Sequence, residues 1–517
     1  MIIARLNKHL RAHKIMDSSQ GAFQPHKSSM DQVAFICQRI QDSFNEGLST
    51  LAVFVDFKAA YDLVSRDIVI QKLIDMETPG EIIYAIRDFL CQRFISVRCH
   101  DRSSSYKQIR KGLPQGAVSS PTLFNCMVND LCLELRWIPG VEVIMFADDL
   151  AILVNGEDIS YMESAMNCAV NVLQRWVERN EMLVNTDKTK YQLFSMRNTL
   201  KKPVILFDGI EIKETLSQRY LGFTLDQRLT FKFHVNEVIE KVDRRLKILK
   251  RLTGLKWGAS KDTLQLTYKT YIKPILTFGE EILICASKST CKKLEVTQNK
   301  ALRIITGGTK STPIAAMEIF SDIKPLTHSR ESAAIKMYER IVRTPNSIWK
   351  NYKCSDNQLK SKISFIHKLA VIYQNYEMDF PVKIRRFTFR KKKSRIRAFN
   401  NVKKIASMKC KEKIQLSHQE QSAEKSWENL NQNTITSKVR KVYVANFRKI
   451  TGHDLLYKHL TRIGVKQSPQ CPQCNESEQT AEHLLSCRKL ESFRRNIENK
   501  TEEETFSEIY WHVRGIQ

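Results

Sequence analysis

The chain has 517 residues, 42% of them hydrophobic and 27% charged, proportions that exclude a disordered or membrane-embedded chain and allow a sizeable core. One core rarely serves so long a chain, so two or three domains are expected. The 83 Lys and Arg exceed the 55 Asp and Glu by enough to leave a net charge of +28, which favours nucleic acid as partner over a merely solubilising surface.

Met1 to His13 alternates apolar and basic residues, unlike a signal peptide, and no apolar run approaches the ~18 residues of a membrane span. No membrane partner is expected, and the protein is expected to work in the cytoplasm and nucleus. Most of the thirteen cysteines stand singly in apolar stretches, as Cys37, Cys126 and Cys168 do, and read as reduced core residues.

Along the chain, alternating strand and helix signals predict a mixed α+β first half. LAVFVDF (Leu51 to Phe57) reads as a buried strand, and Ala59 to Leu73 and Glu81 to Leu90 as helices. Ser120 followed by Pro121 predicts a helix start, with Ser capping free amides and Pro at the first helical position. VEVIMFADDLAILV predicts a β-hairpin with Asp148 and Asp149 at or beside its turn. A helix from Tyr161 to Asn180 has Met162, Met166, Ala169, Leu173 and Trp176 on its packing face, and Tyr191 to Phe194 and Tyr220 to Leu225 read as further strands. From about Phe231 to Leu326 the pattern is helical and predicts a separate all-α domain. Between about Asn351 and Arg440 the composition turns basic around KIRRFTFRKKKSRIR, Lys383 to Arg397. This reads as a linker or arm whose Phe387 and Phe389 can stack on bases, or as a solvated face or targeting run.

Nucleotidyl transfer needs an activated 3′-hydroxyl and a neutralised pyrophosphate, and two divalent ions about 3.5–4 Å apart supply both. Such hard cations want carboxylate oxygens. Asp56 ending one strand, with Asp148 and Asp149 on a neighbouring hairpin, fits a site for two magnesium ions. An isolated Asp-Asp pair is as readily a turn, but here both segments are strongly apolar, where a carboxylate is costly without a partner. Between them GLPQGAVSSP forms a glycine-bounded loop where exposed amides and Gln115 can meet a nucleotide. Near the C-terminus Cys471, Cys474, His483 and Cys487 have the spacing C-x2-C-x8-H-x3-C, which can close a tetrahedral, structural zinc site. His453 and His459 read as packing or surface residues.

FVDFKAAYD, GLPQGAVSSPTLFN, MFADDLAIL, LVNTDKTKYQLF and RYLGFTLD together resemble, in order, the palm motifs of reverse transcriptases. YLGFTLDQRLTF, YIKPILTFGEE, QNKALRIITGG and the cysteine cluster resemble the LINE-like, non-LTR retrotransposon polymerases of the jockey type. The resemblance implies a right-hand polymerase with partial fingers and palm over 1–228, a helical thumb over 229–330, a basic helical linker or arm over 331–440, and a C-terminal region over 441–517 with a zinc-knuckle-like CCHC element. It implies an RNA-directed DNA polymerase working on template RNA, a DNA primer or target, and dNTPs. Asp56 and Asp148 would be metal ligands, with Asp149 completing the site and the Phe57 carbonyl beside it. Tyr61 would be the steric gate against a 2′-hydroxyl, or simply a buried aromatic. Gln115 and Gly116 would line the nucleotide pocket, and Lys188 would protonate pyrophosphate unless it is merely a solvated lysine. Arg219, Tyr220, Leu221 and Gly222 would form the primer grip.

The resemblance spans roughly Gln20 to Leu326 and Val439 to Arg488. The first fingers motif is not found, which implies an N-terminally truncated product. In QGAFQPHKSSMDQ, Ala22 and Gln24 stand where the family has Gly and Arg, with Lys27 as a partial substitute for the basic grip on triphosphate. Neither an endonuclease nor a ribonuclease H pattern is present. The alternative to a polymerase is a relic that binds RNA or DNA without polymerising. An intron maturase or telomerase-like enzyme shares the palm but not the distal cysteine cluster.

Overall fold

An amphipathic helix, α1 (Ile2–Ala12), buries Leu6 and Leu10 and leads to α2 (Ser29–Asn45), which is buried on nearly every side although it carries Asp31, Gln32, Gln38, Gln41 and Asp42. Next comes β1 (Ser49–Val55), buried at every position. This computed structural model describes all residues except 199, 200, 345, 350, 351, 360, 361, 379–391, 498, 516 and 517, and the side chains of 392–399. The chain divides into two units, the first formed by 1–234, 281–286 and 334–402, the second by 235–280, 287–333 and 403–517.

In the first unit the single helix expected after β1 is broken into α3 (Ala60–Leu63) and α4 (Arg66–Asp75). The Val64 carbonyl accepts instead from the Gly112 amide at 2.8 Å, so it is lost to the helical ladder. Helix α5 (Gly80–Leu90) precedes two exposed ribbons, β2 (Arg93–Ile95) with β5 (Lys107–Ile109) and, between them, β3 (Arg98–Cys99) with β4 (Arg102–Ser103). Helix α6 (Ser120–Arg136) starts where expected, but Ser119 holds the cap position without a side-chain capping bond, and the Ser120 hydroxyl donates to the Pro114 carbonyl at 2.6 Å. Strands β6 (Val141–Phe146) and β7 (Asp149–Gly156) form the expected hairpin, and α7 (Ile159–Arg179) buries Met162, Met166, Ala169, Leu173 and Trp176. Cys37 and Cys126 are core residues, whereas Cys168 is exposed because it falls off this buried face of α7.

After β8 (Lys190–Phe194) come the short strands β9 (Leu206–Phe207), β10 (Ile210–Glu211) and β11 (Lys213–Glu214). Tyr220 to Leu225 is not one strand but the tip of a hairpin, β12 (Ser217–Tyr220) and β13 (Phe223–Asp226), turning at Leu221 and Gly222 with φ of 49° and 82°. The main sheet has five strands in the order β11-β8-β1-β7-β6, with β1 antiparallel to both β7 and β8. Central position and continuous apolarity of β1 go together, since both its edges are paired and both its faces covered.

The second unit is helical. It takes in α8 (Lys232–Arg251) from Val235, whose Val235, Val238, Val242, Leu246 and Leu249 form one buried stripe. It continues through α9 (Lys261–Thr267), α10 (Lys273–Leu276), α11 (Lys288–Thr306) and α12 (Ile314–Ser321) into α13 (Leu326–Arg343), which passes into the first unit at Ala334. The first unit then holds α14 (Phe365–Asn375), and α15 (Lys392–Ser422) returns the chain to the second at Lys403. There α16 (Arg440–Thr451), α17 (Tyr457–Arg462), α18 (Ala481–Ser486), α19 (Glu491–Arg495) and α20 (Glu502–Val513) follow, with Phe447 of α16 and Phe506, Tyr510 and Trp511 of α20 buried. Among the described residues no helix is long and apolar enough to cross a membrane.

The stretch 331–440, read from composition as an arm, is thus shared between the units, and residues 334–376 explain the burial of α2. Arg340 donates to the His26 carbonyl and to Asp31, both at 2.7 Å, and to the Ser28 hydroxyl at 3.0 Å. The Trp349 ring stands edge-on to Phe35 at 5.2 Å while its Nε1 donates to the Asp31 carbonyl, and Tyr352 bonds Asp42. At the start of α14, the Phe365 and Ile366 amides donate to Gln41 and Gln38 at 3.0 and 2.9 Å. The basic centre Lys383 to Lys391, with Phe387 and Phe389, lies outside the described residues. Trp349→Ala removes a ring that is only 3% exposed and is expected to cost about 3–5 kcal/mol, read as a fall in the denaturant midpoint of unfolding.

Candidate active site and C-terminal metal centre

The register of β1 on β7 pairs Val55 with Leu150, so Asp56 and Asp149 leave the sheet as neighbours. Asp56 is held by its backbone: its amide donates to the Thr189 hydroxyl at 3.1 Å and its carbonyl accepts from the Asn185 amide at 2.7 Å. Phe57 turns inward, 6% exposed, with its ring 6.3 Å from Trp176. Across the hairpin Phe146 pairs with Asp149, leaving Ala147 and Asp148 as the turn, with Ala147 in the left-handed region at φ 57°.

The carboxyl of Asp149 responds to its surroundings. Asp149 is exposed at its tip, yet its carboxyl is pushed up to about 6, first by burial among the strand-end atoms and then by the charges of Asp148 and Asp56. The Tyr61 phenol is pushed up to about 12 by burial and by Asp148, its ring stacks on Phe124 at 4.6 Å, and its buried hydroxyl has no hydrogen-bond partner among the described residues. The Tyr220 hydroxyl donates to the Asp149 carbonyl at 3.2 Å, and burial with the Asp149 charge raises its phenol well above the ordinary range.

The glycine-bounded loop is fastened over α3. Leu113 donates from its amide to the Tyr61 carbonyl at 2.8 Å, and Gln115 Nε2 donates to Asp62 at 3.0 Å. Gly112 combines φ 89° with a would-be Cβ 2.8 Å from the Asp62 carbonyl oxygen, so both shape and space demand glycine. At Gly116, φ 85° is the constraint within the protein, for no described protein atom lies within 4 Å of a Cβ there.

Lys188 is exposed, in the turn whose Thr189 supports Asp56. Arg219 is exposed on β12. Lys27 sits on a separate loop, its ammonium donating to the Gln20 carbonyl at 3.0 Å and lowered to about 8 by desolvation, against the pull of Asp17 and Asp31. The structure therefore gathers Asp56, Asp148, Asp149, Tyr61, Gln115 and Tyr220, and adds Thr189, Asp62 and Gln20, which sequence reasoning missed because their partners lie far away along the chain.

In the second unit the donor atoms of Cys471, Cys474, His483 and Cys487 all lie within 4.8 Å of one another. Among the described residues this is the one such set of His, Cys, Asp and Glu. Cys474 Sγ is 3.4 Å from His483 Nε2, and the Glu476 amide, donating to Cys474, lowers its thiol. Thr480 caps α18 by accepting from the His483 amide at 3.0 Å, which aims the imidazole inward. Three sulfurs and one nitrogen at this closeness suit a tetrahedral soft-metal site. His453 and His459 stay out of it, both meeting the Ser311 hydroxyl, at 3.0 and 3.1 Å.

Residues 1–225 match the reverse transcriptase (RNA-dependent DNA polymerase) family, over the stretch that forms the mixed α/β sheet described above. More particularly, the chain is similar in sequence to RNA-directed DNA polymerases of mobile elements. It is 27% identical over 312 residues to the probable RNA-directed DNA polymerase from transposon BS of Drosophila melanogaster, covering 59% of this chain and 34% of that protein. It is 25% identical over 356 residues to the RNA-directed DNA polymerase from mobile element jockey of the same fly, covering 67% of this chain and 38% of that protein. The chain thus spans well under half the length of these curated relatives. Among solved structures, apo telomerase from Candida tropicalis is similar over 65% of this chain and 54% of that chain, at 11% identity and a TM-score of 0.35.

Because Asp149 is raised, the native state holds its proton more tightly than the unfolded chain between about pH 4 and 6, and its stability contribution falls as pH rises through that window. Asp149→Asn is expected to raise the melting temperature relative to the parent at pH 7.5 in chelator, with the advantage reduced at pH 5 and gone only below about pH 4, as read by thermal unfolding across that range.

Proposed function

We propose that the chain is the RNA-directed DNA polymerase of a jockey-like non-LTR retrotransposon, extending a DNA primer on template RNA with dNTPs. The observation that carries this reading is the strand register that brings Asp56 and Asp149 out of the sheet as neighbours, with Asp148 in the adjoining turn. Like charges brought together at a strand end form a hard-oxygen donor set suited to two magnesium ions. On this reading residues 1–228 are palm with partial fingers, 229–330 thumb, 331–440 a basic helical region, and 441–517 a zinc-knuckle-like C-terminal region.

Asp56 and Asp148 would hold both magnesium ions, with Asp149 completing the set. Bound magnesium would make the primer 3′-hydroxyl nucleophilic and neutralise the departing pyrophosphate. The 3′-oxygen attacks the α-phosphorus in line, forming one P–O bond as the bond to pyrophosphate breaks. Tyr61, rigid against Phe124 and with its hydroxyl unpartnered among the described residues, would lie under the sugar and exclude a 2′-hydroxyl. Gln115 and Gly116 would line the nucleotide pocket, Lys27 would grip the triphosphate, and Lys188 would give a proton to pyrophosphate. Arg219 to Gly222 would steady the primer end, with Tyr220 tying that hairpin to the strand of Asp149.

Purified protein is expected to extend oligo(dT) on poly(rA) with magnesium or manganese, and Asp148→Ala to reduce extension to background while RNA binding persists. Binding by both with extension by neither would instead establish the nucleic-acid-binding relic. For the C-terminal centre, about one zinc per chain is expected by metal analysis, released by strong chelators and lost in Cys474→Ser, with local melting of the 471–487 region in hydrogen exchange.

A further inference from the structure

Ala147 precedes Asp148 in the hairpin turn and stands at φ 57°, a conformation that L-residues adopt only when something holds them there. What holds it is the side chain of Gln20, which is fully buried. Its Oε1 accepts from the Ala147 amide at 3.0 Å and from the Ala22 amide at 2.9 Å, while its Nε2 donates to the Ala147 carbonyl at 3.3 Å. One amide thus engages both polar groups of the residue before Asp148.

The backbone around Gln20 is laced to the same hairpin. The Gly21 amide donates to the Met145 carbonyl at 2.8 Å, and the Met145 amide to the Ser19 carbonyl at 3.1 Å. Gln32 Nε2 donates to the Ser19 carbonyl at 3.2 Å, and a Cβ at position 21 would fall 2.1 Å from that nitrogen, so glycine follows Gln20 for want of space. The Gln20 carbonyl, facing away from the turn, accepts from Lys27 Nζ and Gln24 Nε2, each at 3.0 Å.

We propose that Gln20 is a positioning residue for nucleotidyl transfer: its side chain fixes the turn that aims Asp148, and its carbonyl ties the Lys27 loop to that turn. The inference rests on the polymerase reading above. Only a neutral amide meets the need, because Ala147 presents one donor and one acceptor side by side. An ionised Glu lacks the donor and adds a negative charge beside Asp148, Leu offers neither group, and Asn is one methylene short.

The test uses the whole chain carrying Gln20→Leu or Gln20→Glu. Gln20→Leu is expected to lower kcat for dTTP incorporation by about tenfold or more, the scale on which slight misplacement of a reacting group acts. KM for dTTP and primer–template Kd should stay within about twofold, as for loss of an interaction that matters mainly in the transition state. Amide exchange should quicken at Ala147 to Asp149 and not across the rest of the sheet. Gln20→Glu should recover activity, relative to the parent at each pH, as pH falls from 8 to 6 and the protonated carboxyl regains a donor, whereas Gln20→Leu should not. An unchanged kcat in folded Gln20→Leu overturns the proposal, as does a loss matched by a general fall in stability and in primer–template affinity without local exchange. Should the parent fail to extend a primer, the polymerase reading fails instead, and the exchange comparison alone decides whether Gln20 holds the turn.

Discussion

The antiparallel pairing of β1 with β7 sets Val55 opposite Leu150, and the chemistry of the first unit depends on that register. Asp56 and Asp149 emerge as neighbours because of it, and the two-residue turn before Asp149 carries Asp148 to the same edge. A slip of one residue would turn every side chain of β1 to the other face. Burial of all seven residues of β1 makes such a slip costly, so apolar packing on both faces of one strand is what keeps three mutually repelling carboxylates together.

Around that edge, support is given mostly to backbone groups. Thr189 accepts from the Asp56 amide, Tyr220 donates to the Asp149 carbonyl, and Gln20 engages both polar groups of Ala147. Bonds of this kind leave the carboxylate oxygens available, which suits the proposed role of these groups. Positioning through the main chain also keeps these supporting side chains neutral.

Helix α2 shows a different solution to polar burial. Its Asp31, Gln38, Gln41 and Asp42 would form a solvated face in a shorter chain, yet here they receive Arg340, the Phe365 and Ile366 amides and Tyr352. A buried carboxylate or amide left alone would be costly, so residues 334–376 are part of the core of the unit that holds the aspartates.

Local pattern carried much of this protein in its sequence. The apolar strand before Asp56, the hairpin around Asp148 and Asp149, the α7 packing face and the cysteine spacing are all short-range signals, and each is an element or cluster of the structure. Breaks and corrections occur where a distant partner intervenes: Gly112 takes the Val64 carbonyl and splits α3 from α4, and Leu221 with Gly222 reverses a segment that reads as one strand. Cys168 looks apolar in context yet faces out. Composition alone cast 334–376 as part of a basic arm, because the polar face it covers lies some 300 residues earlier in the chain. Residue type and spacing therefore determined which groups this protein offers for chemistry. Tertiary structure decided which of them meet and what holds them, since strand register, the Gln20 grip on Ala147 and the cover of α2 are long-range hydrogen bonds that no local period encodes.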